Sequence, residues 1–430
     1  MAKIAPFKGI RYNPEKIKDM SAVVTPPYDV IDDAAQKMYY EKNPYNIIRL
    51  ELGYQFPDDS EKDNRYTRAA TTYQTWLEKE ILIHEAREAL YLYEQEFSIN
   101  AVNYRRTGLF ARVKLEDFAD GKILPHEETL VKPKADRLDL MSECAANFSP
   151  VFVFYVDPQM KLSQDLQEIK NRHPEIALTD DLGEQHRVWA LTDPTLHQKI
   201  TSTLENQILY IADGHHRYET ALEYYRRNKD KHPGSSYVLM YLVNACDPGM
   251  VVLPTHRIIH SLPDFDLSGF QKRLEEYFLV EKINDTQPED LVGILNKQQE
   301  MGKTAFIMGT REPALYLLVL RDPSNVQVLS PDKSSAWCSL DAAVLQIMVF
   351  QKILNLSPEK IARQENITYT RDEAAALKTL NKEAQLIFLL NPTKISQIIK
   401  VASAGDKMPQ KSTYFYPKLL TGLIINNLKD

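Results

Sequence analysis

Short apolar runs alternate with amphipathic segments along most of the chain, which predicts strands interleaved with helices. Val151–Tyr155 is apolar at every position, as in a strand buried on both faces of a sheet. Residues 89–97, residues 108–113 and Tyr237–Asn244 predict further strands, and residues 129–147 predict a helix. The pattern indicates an α/β (α+β) fold with mixed sheets and flanking helices.

The beginning and the end of the chain carry similar patterns. Residues 47–52 alternate apolar and polar positions and predict a strand, whereas residues 60–80 predict a helix. After Pro263 the sequence becomes more charged, and a second series of strands and helices follows. For 430 residues we therefore predict three regions, an N-terminal α/β region (1–100), a catalytic core (101–262) and a C-terminal α/β domain (263–430).

The apolar run at residues 208–212 stops abruptly at Asp213, Gly214, His215, His216 and Arg217. Apolar residues then recur at three- and four-residue spacing, so the pattern predicts a strand, a tight turn and a helix that begins near His215. The glycine permits a sharp turn, and the first N–H groups of the helix favour an anion. The Arg217 guanidinium matches two oxygens of a phosphate or carboxylate. The cluster indicates a phosphate or metal site.

Other interpretations of this cluster stay open. Asp213 could cap the helix, and Arg217 could pair with Glu219 or Glu223 along an exposed helix face. His215 and Glu219, four residues apart, could share a cation.

Polar residues also follow two other predicted strands. His126 and Glu127 come after an apolar pair, and the alternative is an ordinary acidic helix start. In the helix predicted at residues 129–147, the charged side chains up to Arg137 form either a solvated face or part of a site. His256 and Arg257 come after the apolar run at residues 250–253, where His256 could instead satisfy a backbone group. We expect both pairs near the same pocket.

Composition restricts the classes of protein. A net charge of −7 argues against a general nucleic-acid binder, and no apolar run reaches the roughly 20 residues of a membrane span. Three distant cysteines, Cys144, Cys246 and Cys338, offer neither a disulfide framework nor a C-x-x-C site. The first residues contain no signal-peptide core. We therefore expect a cytoplasmic protein that binds small molecules, with neither nucleic acid nor membrane as partner, and the oligomeric state stays open.

A loop near the end of the chain carries Lys411, Ser412 and Thr413 before an aromatic run. It imitates a Walker phosphate loop, but Gln410 stands where that motif needs glycine. Because an acidic protein needs local cations to bind phosphate, we predict that this loop, with Lys411, Ser412, Thr413 and Lys418, closes over the Asp213 turn and completes the site. The alternative is a surface loop with solvated lysines.

The D-G-H-H-R run at residues 213–217 and the P-H-E run at residues 125–127 resemble those of the free L-serine kinases of the ParB/sulfiredoxin superfamily. With T-P-P-Y-D at residues 25–29, L-P-T-H-R at residues 253–257 and the run 408–418, nearly the whole chain resembles a widespread prokaryotic family of unknown function. The resemblance implies a ParB/sulfiredoxin-like core with additional N- and C-terminal α/β units.

The same resemblance implies a phosphotransferase that converts free L-serine to O-phospho-L-serine. The donor would be pyrophosphate, ADP or ATP with Mg²⁺, and we favour pyrophosphate because no adenine or ribose motif is evident. In this assignment Glu127 is the base, Asp213 and His216 are also catalytic, and the metal ligands stay unspecified. The phosphate-binding residues would be Gly214, His215, Arg217, Lys411, Ser412 and Thr413. The substrate-binding residues would be His126, His256 and Arg257.

Two other functions remain open. One is a nucleotide-binding regulator of the ParB type, which salt-sensitive retention on DNA would support. The other is a metal-dependent phosphohydrolase, which stoichiometric zinc in the purified protein would support. Its metal would be bound by His126, Glu127, His215, His216 and Glu219.

Overall fold

A computed structural model describes residues 2–129, 131–283, 288–312, 314–380 and 382–429. It shows an α/β protein with several sheets and flanking helices, and parallel and antiparallel strand pairs occur together, which confirms the predicted mixed sheets. Contacts group the chain into two compact units. Unit 1 comprises Met1–Pro125, Thr129–Val251 and Pro417–Asp430, and unit 2 comprises His126–Glu128 and Val252–Tyr416. The predicted division into three regions stays a prediction.

The strands are numbered along the chain. They are β1 Ile4–Ala5, β2 Ile10–Tyr12, β3 Leu82–His84, β4 Leu90–Ile99, β5 Val102–Lys114, β6 Ile123–Leu124, β7 Ala146–Asn147, β8 Val151–Tyr155, β9 Ile176–Thr179, β10 Gln185–Leu191, β11 Leu209–Asp213, β12 Tyr237–Asn244, β13 Val251–Leu253, β14 His256–His260, β15 Phe278–Ile283, β16 Ala305–Thr310, β17 Ala314–Leu320, β18 Ile367–Thr370, β19 Ala384–Leu389, β20 Tyr414–Tyr416 and β21 Asn426–Asn427.

The helices are numbered in the same way. They are α1 Asp33–Lys42, α2 Ile48–Glu51, α3 Arg65–Glu78, α4 Val131–Cys144, α5 Ser163–Ile169, α6 Pro194–Leu204, α7 His215–Asn228, α8 Leu267–Tyr277, α9 Pro288–Glu300, α10 Ser324–Leu329, α11 Ser335–Cys338, α12 Asp341–Val344, α13 Pro358–Ala362, α14 Glu373–Thr379 and α15 Ile395–Ser403. Short 3₁₀ turns lie at Met20–Ala22, Tyr28–Val30, Phe118–Asp120 and Pro233–Ser236, and α12 continues into a π-helical segment, Leu345–Ile353.

Within the described part of unit 1, nine strands form one sheet in the order β6-β11-β8-β12-β5-β4-β10-β9, with β1 beside β5. β8 is buried at all five positions, and it pairs in parallel with β12 and antiparallel with β11. Residues of α7, among them Tyr218, Ala221 and Leu222, pack into the core of this sheet. The apolar stripe of α7 therefore fixes the helix against the sheet, and the turn that precedes it becomes well defined.

Unit 2 contains, over its described residues, a six-stranded antiparallel sheet in the order β15-β17-β16-β19-β14-β18. β14, which carries His256 and Arg257, lies between β19 and β18. Side chains of α9 and α14, including Leu291 and Ala376, pack into the core of this sheet.

The strand predicted at residues 47–52 is wrong, because Ile48–Glu51 forms the short helix α2. The buried Asn46 explains the difference, since its Oδ1 accepts the Ile48 N–H at 2.9 Å and its Nδ2 donates to the Ala22 carbonyl at 2.8 Å. A side chain that accepts a hydrogen bond from an N–H of the first turn favours the start of a helix. An alternation of apolar and polar residues over six positions is compatible with either a helix or a strand.

In the part of the chain that the structure describes, none of the helices combines the length and the apolar character needed to cross a membrane.

Candidate functional site

The predicted strand, turn and helix around Asp213 are confirmed: β11 ends at Asp213 and α7 begins at His215. Gly214 joins them with φ 89° and ψ 30°, a left-handed conformation that glycine adopts most easily. A Cβ atom at this position would lie 2.8 Å from Arg217 Nε. Both the backbone and the packing of Arg217 therefore require glycine here.

Asp213 is held between two cations in unit 1. Arg217 Nη2 donates to its Oδ2 at 2.7 Å, and Lys418 Nζ donates to its Oδ1 at 2.7 Å. Burial alone would raise the pKa of Asp213, but the positive charges of Lys418 and Arg217 outweigh that effect and hold the pKa well below its usual range. Asp213 is consequently an ionised carboxylate whose two oxygens are both engaged.

Arg217 is 7% exposed, and its Nη1 donates to the Pro150 carbonyl. The proposed surface pairs of Arg217 are not formed: Glu219 accepts Lys134 Nζ at 2.8 Å, and Glu223 pairs with Arg227 at 2.7 Å. The interpretation of Arg217 as a member of an exposed ion-pair face is therefore wrong. Glu219 also accepts the Thr129 hydroxyl at 2.7 Å, so its carboxylate is already used by neighbours.

Tyr28, from the T-P-P-Y-D loop, belongs to the same surroundings. The Arg137 guanidinium carbon lies 4.0 Å from the Tyr28 ring centroid. Burial raises the pKa of Tyr28 to about 12, against the opposing charges of Arg137 and Arg217. Arg137 is 5% exposed and pairs with Glu51 at 3.3 Å, so it does not form part of a solvated helix face. The sequence alone does not indicate that Arg137 is buried.

The amino end of α7 adds partial positive charge next to these side chains. Its first intrahelical bond runs from the Tyr218 N–H to the Gly214 carbonyl at 3.0 Å. The helix dipole favours an anion at this end. The α7 turn in unit 1 therefore combines Asp213 with Arg217, Lys418 and a helix amino terminus, a set suited to phosphate oxygens.

In unit 2, His126 and Glu127 of the P-H-E motif contact the loop at residues 408–413. The Met408 N–H donates to the His126 carbonyl at 2.7 Å, and a 2.9 Å hydrogen bond joins His126 Nε2 to the Thr413 hydroxyl. The Lys411 N–H donates to Glu127 Oε1 at 3.2 Å. Residues more than 280 positions apart thus form one cluster, which fixes the orientation of the Glu127 carboxylate.

Arg257 lies in the same unit, 4% exposed, on β14. Its Nη1 donates to the Thr255 carbonyl and its Nη2 to the Lys411 carbonyl at 3.2 Å, while the Tyr369 ring centroid lies 5.4 Å from the guanidinium carbon. Among the residues that the structure describes, no carboxylate pairs with this guanidinium. Burial lowers the pKa of Arg257 to about 10. A buried cation with only carbonyl partners can accept an anionic ligand.

The Lys411 peptide connects Glu127 and Arg257, because its N–H contacts the first and its carbonyl the second. Its φ of 56° is in the left-handed region, which costs a residue with a side chain on the order of 1 kcal/mol. Neighbouring contacts hold this conformation: the Ser412 hydroxyl donates to the Pro409 carbonyl, and the Thr393 hydroxyl donates to the Ser412 carbonyl at 2.7 Å.

His256 Nδ1 accepts the Leu390 N–H at 3.2 Å, and its Nε2 lies 3.4 Å from Glu373 Oε1. His256 therefore satisfies a backbone group, as the second interpretation of the sequence anticipated. The assignments of His126, His256 and Arg257 to the substrate, of His215 and His216 to phosphate and catalysis, and of the Lys411 loop to the Asp213 turn stay predictions.

Comparison with solved structures gives distant similarities. A free serine kinase in complex with AMP is 14% identical, with a TM-score of 0.35, over 74% of this chain and 92% of that chain. A conserved hypothetical protein from Pyrococcus furiosus is 14% identical, with a TM-score of 0.34, over 74% of this chain and 95% of that chain. SbnI with a C-terminal truncation, from Staphylococcus aureus, is 10% identical, with a TM-score of 0.34, over 73% of this chain and 85% of that chain. Values this low decide neither fold nor activity.

No curated protein gives a significant match. The family model described as "Protein of unknown function (DUF1015)" matches residues 4–343, which is most of the chain and includes both the P-H-E and the D-G-H-H-R runs. This confirms the predicted membership of a long family of unknown function. The chain belongs to the DUF1015 family.

Proposed function

We propose that this protein is a phosphotransferase that phosphorylates the hydroxyl group of free L-serine, with pyrophosphate, ADP or ATP as the donor. The proposal extends to a ParB/sulfiredoxin-like core around β11 and α7. The motif resemblance suggests the reaction class, and the side-chain geometry within each unit supports it independently of any structural relative.

The observation that carries the proposal is the pair formed by Glu127 and Arg257 on either side of the Lys411 peptide. An amino acid acceptor presents a carboxylate and, a few bonds away, a hydroxyl. The buried Arg257 guanidinium suits the carboxylate, since an arginine fork binds it with two charge-assisted hydrogen bonds. The oriented Glu127 carboxylate suits the hydroxyl, whose proton it accepts.

The α7 turn in unit 1 supplies groups for the donor. Phosphoryl transfer requires positioning and positive charge around the phosphate more than covalent chemistry by the protein. Arg217, Lys418 and the helix amino terminus supply that charge. Asp213 orients both cations, so we assign it as a positioning carboxylate.

In the reaction, the serine hydroxyl oxygen attacks the terminal phosphorus as Glu127 takes the hydroxyl proton. The new bond joins that oxygen to phosphorus, and the bond from phosphorus to the bridging oxygen breaks. The leaving group is phosphate from pyrophosphate, AMP from ADP or ADP from ATP. Mg²⁺ would neutralise phosphate charge and take most of its oxygen ligands from the donor and from water. Both Asp213 oxygens already contact cations, so Asp213 is poorly suited to ligate that ion directly.

The test is a transfer screen that crosses L-serine, D-serine, L-threonine and L-homoserine with pyrophosphate, ADP and ATP, with Mg²⁺ present and products detected by mass. We expect O-phospho-L-serine with at least one donor, and pyrophosphate first. Serine-dependent turnover with ADP or ATP and none with pyrophosphate would reverse the donor choice. Folded protein that transfers phosphate to none of the acceptors would refute the proposal.

Glu127→Gln removes the base and keeps the shape of the side chain. General-base catalysis contributes about 10² to 10⁴ in rate, so we expect turnover to fall by that factor while the thermal unfolding midpoint changes little. Glu128→Gln is the matched control, because Glu128 is the exposed neighbour. Near-normal turnover of Glu127→Gln would assign the base to another residue.

A further inference from the structure

The hairpin of β9 and β10 brings three metal-ligating side chains together, far along the sheet order from β11. The Asp180 N–H donates to the Glu184 carbonyl at 2.9 Å, and the Gly183 N–H donates to the Asp180 carbonyl at 3.1 Å. This tight turn places the ligating atoms of Asp180, Glu184 and His186 within 4.8 Å of one another.

His186 provides the observation that points to a ligand. Its side chain is 0% exposed, and Nδ1 lies 2.7 Å from the Tyr93 hydroxyl oxygen. Within the described residues its Nε2 makes no hydrogen bond, although it points toward Asp180 with Oδ2 3.3 Å away. A metal-binding histidine commonly uses one ring nitrogen for an orienting hydrogen bond and the other for the metal, and the contact with Tyr93 matches that arrangement.

The two carboxylate oxygens of Asp180 likewise have different partners. Its Oδ1 accepts the N–H groups of Leu182 and Glu184, both at 2.9 Å, so that Oδ2 is the oxygen turned to His186. Two ligand atoms on a tetrahedral zinc ion, with bonds of about 2.0 to 2.1 Å, lie about 3.3 Å apart. The separation of Nε2 and Oδ2 equals that spacing, and rotation of the Glu184 side chain can bring a third oxygen to it.

We propose that Asp180, Glu184 and His186 bind one divalent transition-metal ion of the zinc type and thereby clamp the β9–β10 hairpin. An imidazole nitrogen disfavours Mg²⁺ and Ca²⁺, which prefer oxygen ligands, whereas one imidazole with two carboxylates suits Zn²⁺. A water molecule would complete a tetrahedral set. This site is separate from the residues proposed for phosphoryl transfer, so its test does not depend on that activity.

The experiment uses the full-length chain, stripped with chelator and dialysed against Zn²⁺, with bound metal measured by mass spectrometry and unfolding followed with and without Zn²⁺. We expect one tightly bound ion that His186→Gln removes, with a loss of affinity of more than tenfold, and a rise in the unfolding midpoint that disappears in this variant. Zinc bound elsewhere on the chain contributes equally to the wild type and the variants, so it does not affect the difference between them.

Glu184→Gln serves as the second variant if the buried His186→Gln does not fold, and it should also weaken zinc binding at least tenfold. Asp181→Asn is the matched control, since Asp181 is exposed in the same turn and pairs with Lys42 at 2.6 Å. It should bind zinc as the wild type does. Unchanged zinc affinity in the His186 and Glu184 variants, or no binding by the wild type, would overturn the proposal and leave Asp180 and His186 as a simple ion pair.

Discussion

Lys418→Met removes one of the two cations that hold Asp213 and keeps much of the lysine stem. The Lys418 and Asp213 side chains are 14% and 18% exposed, so solvent screens their 2.7 Å contact only weakly. Removal of one partner of a buried ion pair costs about 3 to 5 kcal/mol of unfolding free energy. Arg217 still pairs with Asp213 in the variant, so we expect a smaller loss of about 2 to 3 kcal/mol at neutral pH.

This loss should depend on pH with a definite sign. The folded-state pKa of Asp213 is depressed, so the carboxylate contributes stability above the unfolded-chain value of about 3.9, and that stability is lost as pH falls through the folded value. In Lys418→Met, burial opposes ionisation with one cation fewer, and the pKa of Asp213 rises. The difference in stability between wild type and variant should therefore be largest near pH 7 and should shrink below about pH 4.

The assay is urea unfolding of wild type and Lys418→Met at several pH values between about 2 and 8, followed by tryptophan fluorescence. Lys8→Met is the control for loss of an exposed lysine and should unfold like the wild type. Equal midpoints for wild type and Lys418→Met at pH 7, or a difference that does not change with pH, would refute this reasoning.

Three further predictions concern single residues. Arg217→Lys should weaken donor binding at least tenfold, because the lysine ammonium cannot replace a guanidinium that contacts Asp213, Pro150 and phosphate together. An unchanged donor KM in a folded variant would contradict this. Arg257→Gln should raise the KM for the amino acid acceptor about 10- to 100-fold and leave the donor KM unaltered, whereas equal acceptor values would exclude a carboxylate contact. Burial raises the pKa of Asp341 to about 7, against the opposing charge of Lys394, so the folded state becomes less stable as pH rises from about 4 to 7. Asp341→Asn should therefore be more stable than wild type at pH 8, by up to about 4 kcal/mol, and similar at pH 4, which thermal unfolding at the two values would show.

The sequence by itself determined the elements whose information is local. β8 matches the predicted range because five consecutive apolar residues suit a strand covered on both faces, and α7 begins at the predicted residue because its apolar spacing and Gly214 act over a few positions. At residues 47–52, by contrast, local information did not decide between a helix and a strand. The choice depended on Asn46 reaching the Ala22 carbonyl, a tertiary contact that the alternation of six residues does not contain.

Tertiary structure decided which individual groups meet. Lys418 and Asp213 are 205 positions apart, and Arg257 reaches the Lys411 carbonyl across 154 positions, so short-range periodicity contains no information on either contact. Arg137 illustrates the same limit, because the sequence shows a charged helix position and only packing against Tyr28 and Glu51 makes it a buried one. The sequence specifies the chemistry that each segment carries, whereas the order of strands in the sheets determines which of those groups become neighbours.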